Sequence, residues 1–285
     1  MSETRYPSRI DGTIEADEVI IGEGAVVEEG AIIRGKSGPA KRVVIGDFAY
    51  VGAGAKVLCP EFVIGDYTKL HERAFCHGVH PLRIGRNCWF GGNVILDTMG
   101  GLDIDDNVGI GAGSQIWTHA QFGDVVEGSR FYSHKYMHIG KDAWLVGHCL
   151  VSPVRIEPKS MAMLGSVVTG DMLENRIYGG APAKDLSDKI GFQFLDRSVD
   201  EKIAKLQEFI DAFEAENPRF AGQLVAVDSP PETSDPQITY FNLSDRTYTR
   251  RRSEAETAFL RKNVPLIKFV PHDVPEFYRP SAPAA

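Results

Sequence analysis

Apolar residues recur along this chain at intervals of six. The apolar positions fall at Ile21, Val27, Ile33; Ile45, Val51, Val57; Ile64, Leu70, Cys76; Ile84, Phe90, Leu96; Ile104, Ile110, Ile116; Ile139, Leu145, Val151; and Ile156, Ala162, Val168. Glycine often follows, as at Gly46, Gly65, Gly85, Gly111 and Gly140, and the fourth residue on is often small, as at Ala25, Ala49, Ser114 and Ser166. A helix repeats every 3.6 residues and a half-buried strand every two, so neither explains the spacing. A solenoid with three short strands per coil does. Each six-residue unit is then one flat side and a turn, with the apolar residue filling the interior and small residues letting the backbone bend.

The repeat is interrupted twice. Residues 34 to 44, RGKSGPAKRVV, form a small insertion whose Gly and Pro suit a loop. The larger interruption starts directly after His119, where a polar excursion at about 120–137 separates Ile116 from Ile139. A repeat broken beside a histidine marks a candidate site. Beyond Lys184 the sixes stop. Apolar positions at Ile203, Leu206, Phe209, Ile210 and Phe213, with Ser198 and Glu201 spaced as a capping box, predict an amphipathic helix over 198–217. Strands are expected at 224–227, 237–243 and 266–270, with a further helix capped by Ser253 and Glu256. The chain therefore reads as a solenoid over 1–190 and a small α/β module over 191–285, ending in a frayed PSAPAA.

Composition narrows the picture without changing it. The chain has 285 residues, is 43% hydrophobic and carries a formal charge of -8, so no general basic surface points to nucleic acid or an anionic membrane. The opening MSETRYPSRIDG lacks an apolar segment and no later run is long enough to span a bilayer, so a cytoplasmic location is expected. Cys59, Cys76, Cys88 and Cys149 show no CxxC spacing and fall within the repeats, as buried reduced thiols would. Tyr240, Tyr248 and the run Arg250–Arg252 read first as a solvated charged stretch and, as the alternative, as a face for a nucleotide-linked or lipid-linked sugar.

The hexapeptides, together with IGRNCWFGGNVILD, WTH, IGKDAWLVGH, LGSVVTGD and the closing YGGAPAK, resemble the hexapeptide-repeat acyltransferases, in particular their galactoside and maltose acetyltransferase branch. The resemblance covers about residues 21 to 190. It implies an all-β left-handed parallel β-helix, assembled as a homotrimer, that moves an acyl group, most simply acetyl, from coenzyme A to a hydroxyl or amine of a sugar or amino sugar. His119 matches the family's catalytic histidine, a residue type whose ordinary pKa suits it to deprotonate the acceptor during direct attack on the thioester. Asn93 stands where the family binds acceptor, and Asp97 lies one residue out of register from an acidic acceptor ligand. Counted along 20-residue coils, His77, Asp97 and Trp117 are equivalent and lead to His119. For coenzyme A the resemblance points to Gly147, Leu164, Gly165, Thr169 and Lys184. The chain departs from the pattern at Gly170 and Ser187, where basic residues are common. Asn93, Gly147 and Leu164 follow the second apolar residue of their triplets, whereas His119 follows the third, so if all of them serve one reaction the site lies between chains, as the resemblance to trimeric family members implies.

Two other readings fit parts of the chain. A metalloenzyme resembling the γ-carbonic anhydrases would draw on His71, His77, His80, His134, His138 and His148, but the H-x4-H pair of that family is missing: His134 and His138 are H-x3-H. No metal is expected. The other is a non-catalytic scaffold whose C-terminal module binds a partner.

Overall fold

The computed structural model describes residues 6–273, and the expectation of a frayed PSAPAA falls outside them. The chain divides into two units, the first ending at Phe194 and the second beginning at Leu195.

The first unit is a three-sided parallel β-helix. Its sides are sheets of six, ten and eight strands, each strand two to six residues long and paired in parallel with the strands of the coils before and after, except that Ala183–Asp185 closes the ten-stranded sheet antiparallel to Ile177–Gly180. The register stacks apolar residue on apolar residue. On the first side Ile45, Ile64, Ile84, Ile104 and Ile139 are successive partners. On the second they are Val51, Leu70, Phe90, Ile110, Leu145 and Ala162. On the third they are Val57, Cys76, Leu96, Ile116, Val151 and Val168. These side chains fill the prism and are almost wholly buried. All four cysteines are buried and free, and burial pushes the Cys59 thiol up to about 11.

Corners explain residues that the periodicity leaves open. Between the second and third sides, Gly54, Arg73, Asn93, Gly113, His148 and Gly165 all take positive φ, one per coil. The backbone N–H groups of Arg73, Asn93, Gly113, His148 and Gly165 bond to carbonyls of the preceding coil. Asn and Gly accept this left-handed conformation at least cost. Close stacking excludes side chains elsewhere: a Cβ at Gly111 would lie 1.8 Å from the Val146 carbonyl oxygen. Between the first and second sides an amide ladder runs along the axis, Asn87 donating to Asn107 at 3.1 Å and Asn107 to Asp142 at 3.0 Å.

The solenoid begins earlier than the sixes indicate. Arg9–Ile10 pairs with Val26–Val27 and Thr13–Ile14 with Ile32–Ile33, completing a coil before Ile21. Its second-to-third corner is two residues shorter, so Ile14 follows Ile10 by four and the six-residue count misses it. At the other end, Asn175 holds Phe194 by both backbone groups, at 2.8 and 3.0 Å, so the chain stays with the solenoid past residue 190.

In the second unit, helix Val199–Glu216 starts with the expected capping box at Ser198 and buries Leu206, Ile210 and Phe213. A four-stranded sheet runs in the order Leu224–Val227, Thr239–Asn242, Thr247–Tyr248, Val270–Pro271. Helix Glu254–Asn263 is capped by Ser253. Phe241 packs against both Phe259 and Phe269. The strand Thr247–Tyr248 is unforeseen in sequence, and the one expected over 266–270 is reduced to Val270–Pro271. The N–H groups of Leu266 and Ile267 instead bond back to the Asn263 carbonyl, continuing the turn of the helix. The Arg251 guanidinium is not merely solvated, since it donates to Ser234, Asp235 and Ile238.

Because the solenoid core is built from columns of buried side chains stacked coil on coil, each deletion leaves a hole that neighbouring coils cannot close. Phe90→Ala, far from any polar cluster, should lower unfolding stability by about 3–5 kcal/mol. Urea titration followed by circular dichroism measures this, and a loss below about 1 kcal/mol would contradict such packing.

Candidate active site

His119 and Asp97 meet at the corner between the third and first sides. Leu96 points into the core, and the next residue, Asp97, carries its carboxylate beneath the following coil, where it is 0% exposed. A carboxylate taken out of water needs donors, and this one has four. Oδ2 accepts from the Thr118 N–H at 2.8 Å, from the Thr118 hydroxyl at 2.8 Å and from His119 Nδ1 at 2.7 Å. Oδ1 accepts from the Met99 N–H at 3.1 Å. Burial alone drives the Asp97 carboxyl up, but the bonds from His119, Thr118 and Met99 outweigh it and hold the group below its ordinary value. Asp97 is therefore an anion at neutral pH. An anion at Nδ1 fixes the proton on that nitrogen and leaves Nε2 with its lone pair. The His119 side chain is 23% exposed, so the free nitrogen belongs to a ring that solvent reaches.

Aromatic rings roof this pair. His77 and Asp97 are register partners, and Trp117 follows Ile116, the partner of Leu96, so His77 and Trp117 stand two coils apart. Their rings nevertheless approach to 6.3 Å, leaning together across the position from which Asp97 turns inward. Trp117 in turn meets His119 edge to face at 6.1 Å. Burial pulls the His77 pKa down, which keeps that imidazole neutral.

The excursion after His119 is a β-hairpin. His119–Gln121 runs antiparallel to Tyr132–His134, with His119 opposite His134 and the two rings 5.7 Å apart. His134 Nε2 lies 3.1 Å from Gln121 Oε1. Below the hairpin Ile104 pairs directly with Ile139, so the coil closes as if the excursion were absent. The hairpin carries Phe122, Val125, Val126 and Phe131 fully or largely exposed.

The structure separates the other sequence candidates. Asp97, expected as an acceptor ligand, has its carboxylate buried and bonded to Met99, Thr118 and His119. The signal lay in the 20-residue coil, which puts Asp97 beside Trp117 and hence next to Thr118 and His119. Its inward rotamer, and the role of Thr118, were not visible. Asn93 is exposed at the second-to-third corner, where its side chain accepts from Arg73 Nε at 2.9 Å and its positive φ already accounts for the residue type. Gly147, Leu164 and Gly165 share that corner: a Cβ on Gly147 would touch Leu164 at 3.3 Å, Gly165 donates to the Gly147 carbonyl, and Leu164 is well exposed. Thr169, following Val168 of the third side, is on the His119 corner instead, two coils beyond Trp117. Lys184 is exposed on the short return strand Ala183–Asp185, opposite Gly179.

Among the described residues, no three His, Cys, Asp or Glu side chains converge as a metal site would require. His138 pairs with Asp105 at 2.9 Å, and that bond raises its pKa. Among the described residues no helix is long and apolar enough to cross a membrane.

No protein family and no curated protein matches this sequence. Solved structures do. UDP-N-acetylglucosamine O-acyltransferase from Moraxella catarrhalis is 17% identical, with 75% of this chain and 91% of that chain covered and a TM-score of 0.39. UDP-N-acetylglucosamine acyltransferase from Campylobacter jejuni is 12% identical, with coverage of 90% and 97% and a TM-score of 0.43. A hexapeptide-repeat acetyltransferase from Vibrio cholerae, solved with acetyl coenzyme A, is 21% identical, with coverage of 50% and 68% and a TM-score of 0.35. The β-helix assigned here rests on the strand pairing of this chain itself.

Proposed function

We propose that this protein is an acyl-coenzyme A-dependent acyltransferase, with acetyl as the acyl group, acting on a hydroxyl or amino group of a sugar-like acceptor. The observation that carries the reading is the 2.7 Å bond between His119 Nδ1 and the buried Asp97 carboxylate. Nε2 is the general base. It takes the proton of the acceptor hydroxyl or amine as the oxygen or nitrogen attacks the thioester carbonyl, and Asp97 stabilises the imidazolium that forms. The tetrahedral intermediate then collapses, expelling the coenzyme A thiolate, to which His119 returns the proton. No covalent acyl-enzyme is needed. Asp97 and Thr118 act through His119 and are positioning residues.

Coenzyme A lies against Gly147, Leu164 and Gly165 in this reading, with Thr169 and Lys184 on its path. Leu164 is two residues past Ala162 on the second side, whereas His119 is three past Ile116 on the third, so one six-residue side separates them by roughly 15–20 Å. One chain cannot bring both to a single thioester. A homotrimer can, by apposing the second-to-third corner of one chain with the third-to-first corner of its neighbour in three equivalent sites. The exposed Phe122, Val126 and Phe131 of the hairpin are the side chains such a neighbour would cover. Asn93, on the cofactor corner, then reaches an acceptor only through the same contact. We place the protein in the cytoplasm, where acyl-coenzyme A is available.

His119→Ala should lower thiol release from acetyl coenzyme A by about a hundredfold or more while coenzyme A still binds. Asp97→Asn should cost a similar factor in kcat with KM little changed, since it disturbs the tautomer rather than the binding surface. Near-normal turnover of His119→Ala would refute the assignment of the base.

The shared site has its own check. Chains with His119→Ala and chains with Leu164→Glu, each inactive alone, should regain activity when refolded together, because random assembly unites the two intact corners at roughly a quarter of the interfaces. Mixed trimers that stay inactive, with both parents folded, would place the whole site within one chain.

A further inference from the structure

The corner that bears His119 continues toward the N-terminus as a strip with its own chemistry. By register, successive coils present Arg34, Leu58, His77, Asp97 and Trp117 at equivalent positions. Asp97 turns inward and its place is closed by the His77 and Trp117 rings. Phe75, exposed on the outer face of the third side, stacks on His77 at 4.6 Å with planes 21° apart. The accessible surface leading away from His119 is therefore a run of ring faces and edges. The backbones of Phe75 and His77 lie two coil spacings from Trp117, roughly 10 Å, while the His77 ring leans to 6.3 Å from the Trp117 ring.

Charge changes where the rings end. Lys56 is the register partner of Phe75 and is exposed, and Arg34 pairs with Leu58 one coil further on. Lys36 is exposed in the tight loop closed by the Gly35 to Gly38 bridge, and its charge helps lower the His77 pKa, which sets it within electrostatic reach of the ring stack. Arg34 donates to the Gly35 carbonyl at 3.2 Å. Among the described residues none of these three cations is in an ion pair. The nearest carboxylate by register on this corner is Glu15, one coil beyond Arg34 and away from the rings. A chain of net charge -8 thus gathers unpaired cations at one end of an aromatic strip that has the proposed base at the other. The cationic end is three to four coil spacings from Trp117, roughly 14–19 Å.

We propose that this strip is one wall of the acceptor groove, the apposed corner of the neighbouring chain being the other, and that its acceptor is a carboxylated linear glycan of at least three rings. The reacting hydroxyl or amine lies at His119, the pyranose faces lie over Trp117, His77 and Phe75, and a carboxylate lies at Lys56, Lys36 and Arg34. A single sugar reaches only the Trp117 end. A chain of three rings, each about as long as one coil spacing, reaches the cations. The glycan's charge gives selectivity over neutral chains of equal length, and salt weakens that selectivity because the cations are exposed. This inference rests on the acyltransfer reading for the role of the groove, but binding tests it separately.

The experiment measures equilibrium binding of trigalacturonate, neutral galactotriose and single galacturonate to the intact protein by titration calorimetry, beside thiol release from acetyl coenzyme A with each. Trigalacturonate should bind about tenfold or more tighter than either comparison ligand. The preference over galactotriose should vanish in the surface variant Lys36→Glu/Lys56→Glu, and should shrink in the unaltered protein at high salt. Equal binding of the acidic and neutral trimers, or a preference that survives both the charge reversal and high salt, overturns the groove, even if a small acceptor supports thiol release. Selective binding of trigalacturonate with no thiol release from any acceptor upholds the glycan site and counts against the acyltransfer reading instead.

Discussion

The structure depends on one constraint, the lead-on-lead stacking of parallel coils. Each coil is locked to its neighbours by backbone hydrogen bonds at a fixed spacing and by apolar side chains stacked on their equivalents in the coils above and below. Ile64 over Ile84 over Ile104 is not only core; it also dictates where every corner residue of those coils must sit. Long-range order in the site is therefore inherited from local pairing. Asp97 and Thr118 are 21 residues apart yet share a hydrogen bond because one coil separates them.

That constraint also sets the cost of polarity inside the prism. The Asp97 carboxylate is shut away from water beneath the next coil, so it must be satisfied by the protein. Asp97 takes bonds from two backbone N–H groups, a hydroxyl and an imidazole. With all four in place the anion is favoured over the acid despite burial. The same enclosure holds the carboxylate against His119 Nδ1, and the imidazole also meets the Trp117 ring edge to face. A flexible solvent-exposed pair would not hold one tautomer in this way.

Interruptions work because the ladder ignores them. The hairpin after His119 and the loop after Arg34 leave the pairing of Ile104 with Ile139 and of Ile33 with Val57 intact. Both leave at the third-to-first corner, so the two insertions bracket the surface that carries His77 and Trp117. The remaining corners use their residues for turning: the positive φ of His148 and the amide ladder from Asn87 to Asp142 account for polar residues there.

The sequence alone determined the solenoid, the side on which each six-residue unit falls, the helix starts at Ser198 and Ser253, and the prominence of His119. Those features are local or strictly periodic, and a period survives in one dimension. It failed at the first coil, where a shortened corner broke the count, and at residues 266–270, where the chain's choice between turn and strand depended on bonds back to Asn263. Only the tertiary structure decided that Asp97 points inward, that Thr118 completes its set of donors, and that His77 and Trp117 close over it. Side-chain direction at a corner is set by what the adjacent coil leaves room for, and no pattern along the chain encodes that space.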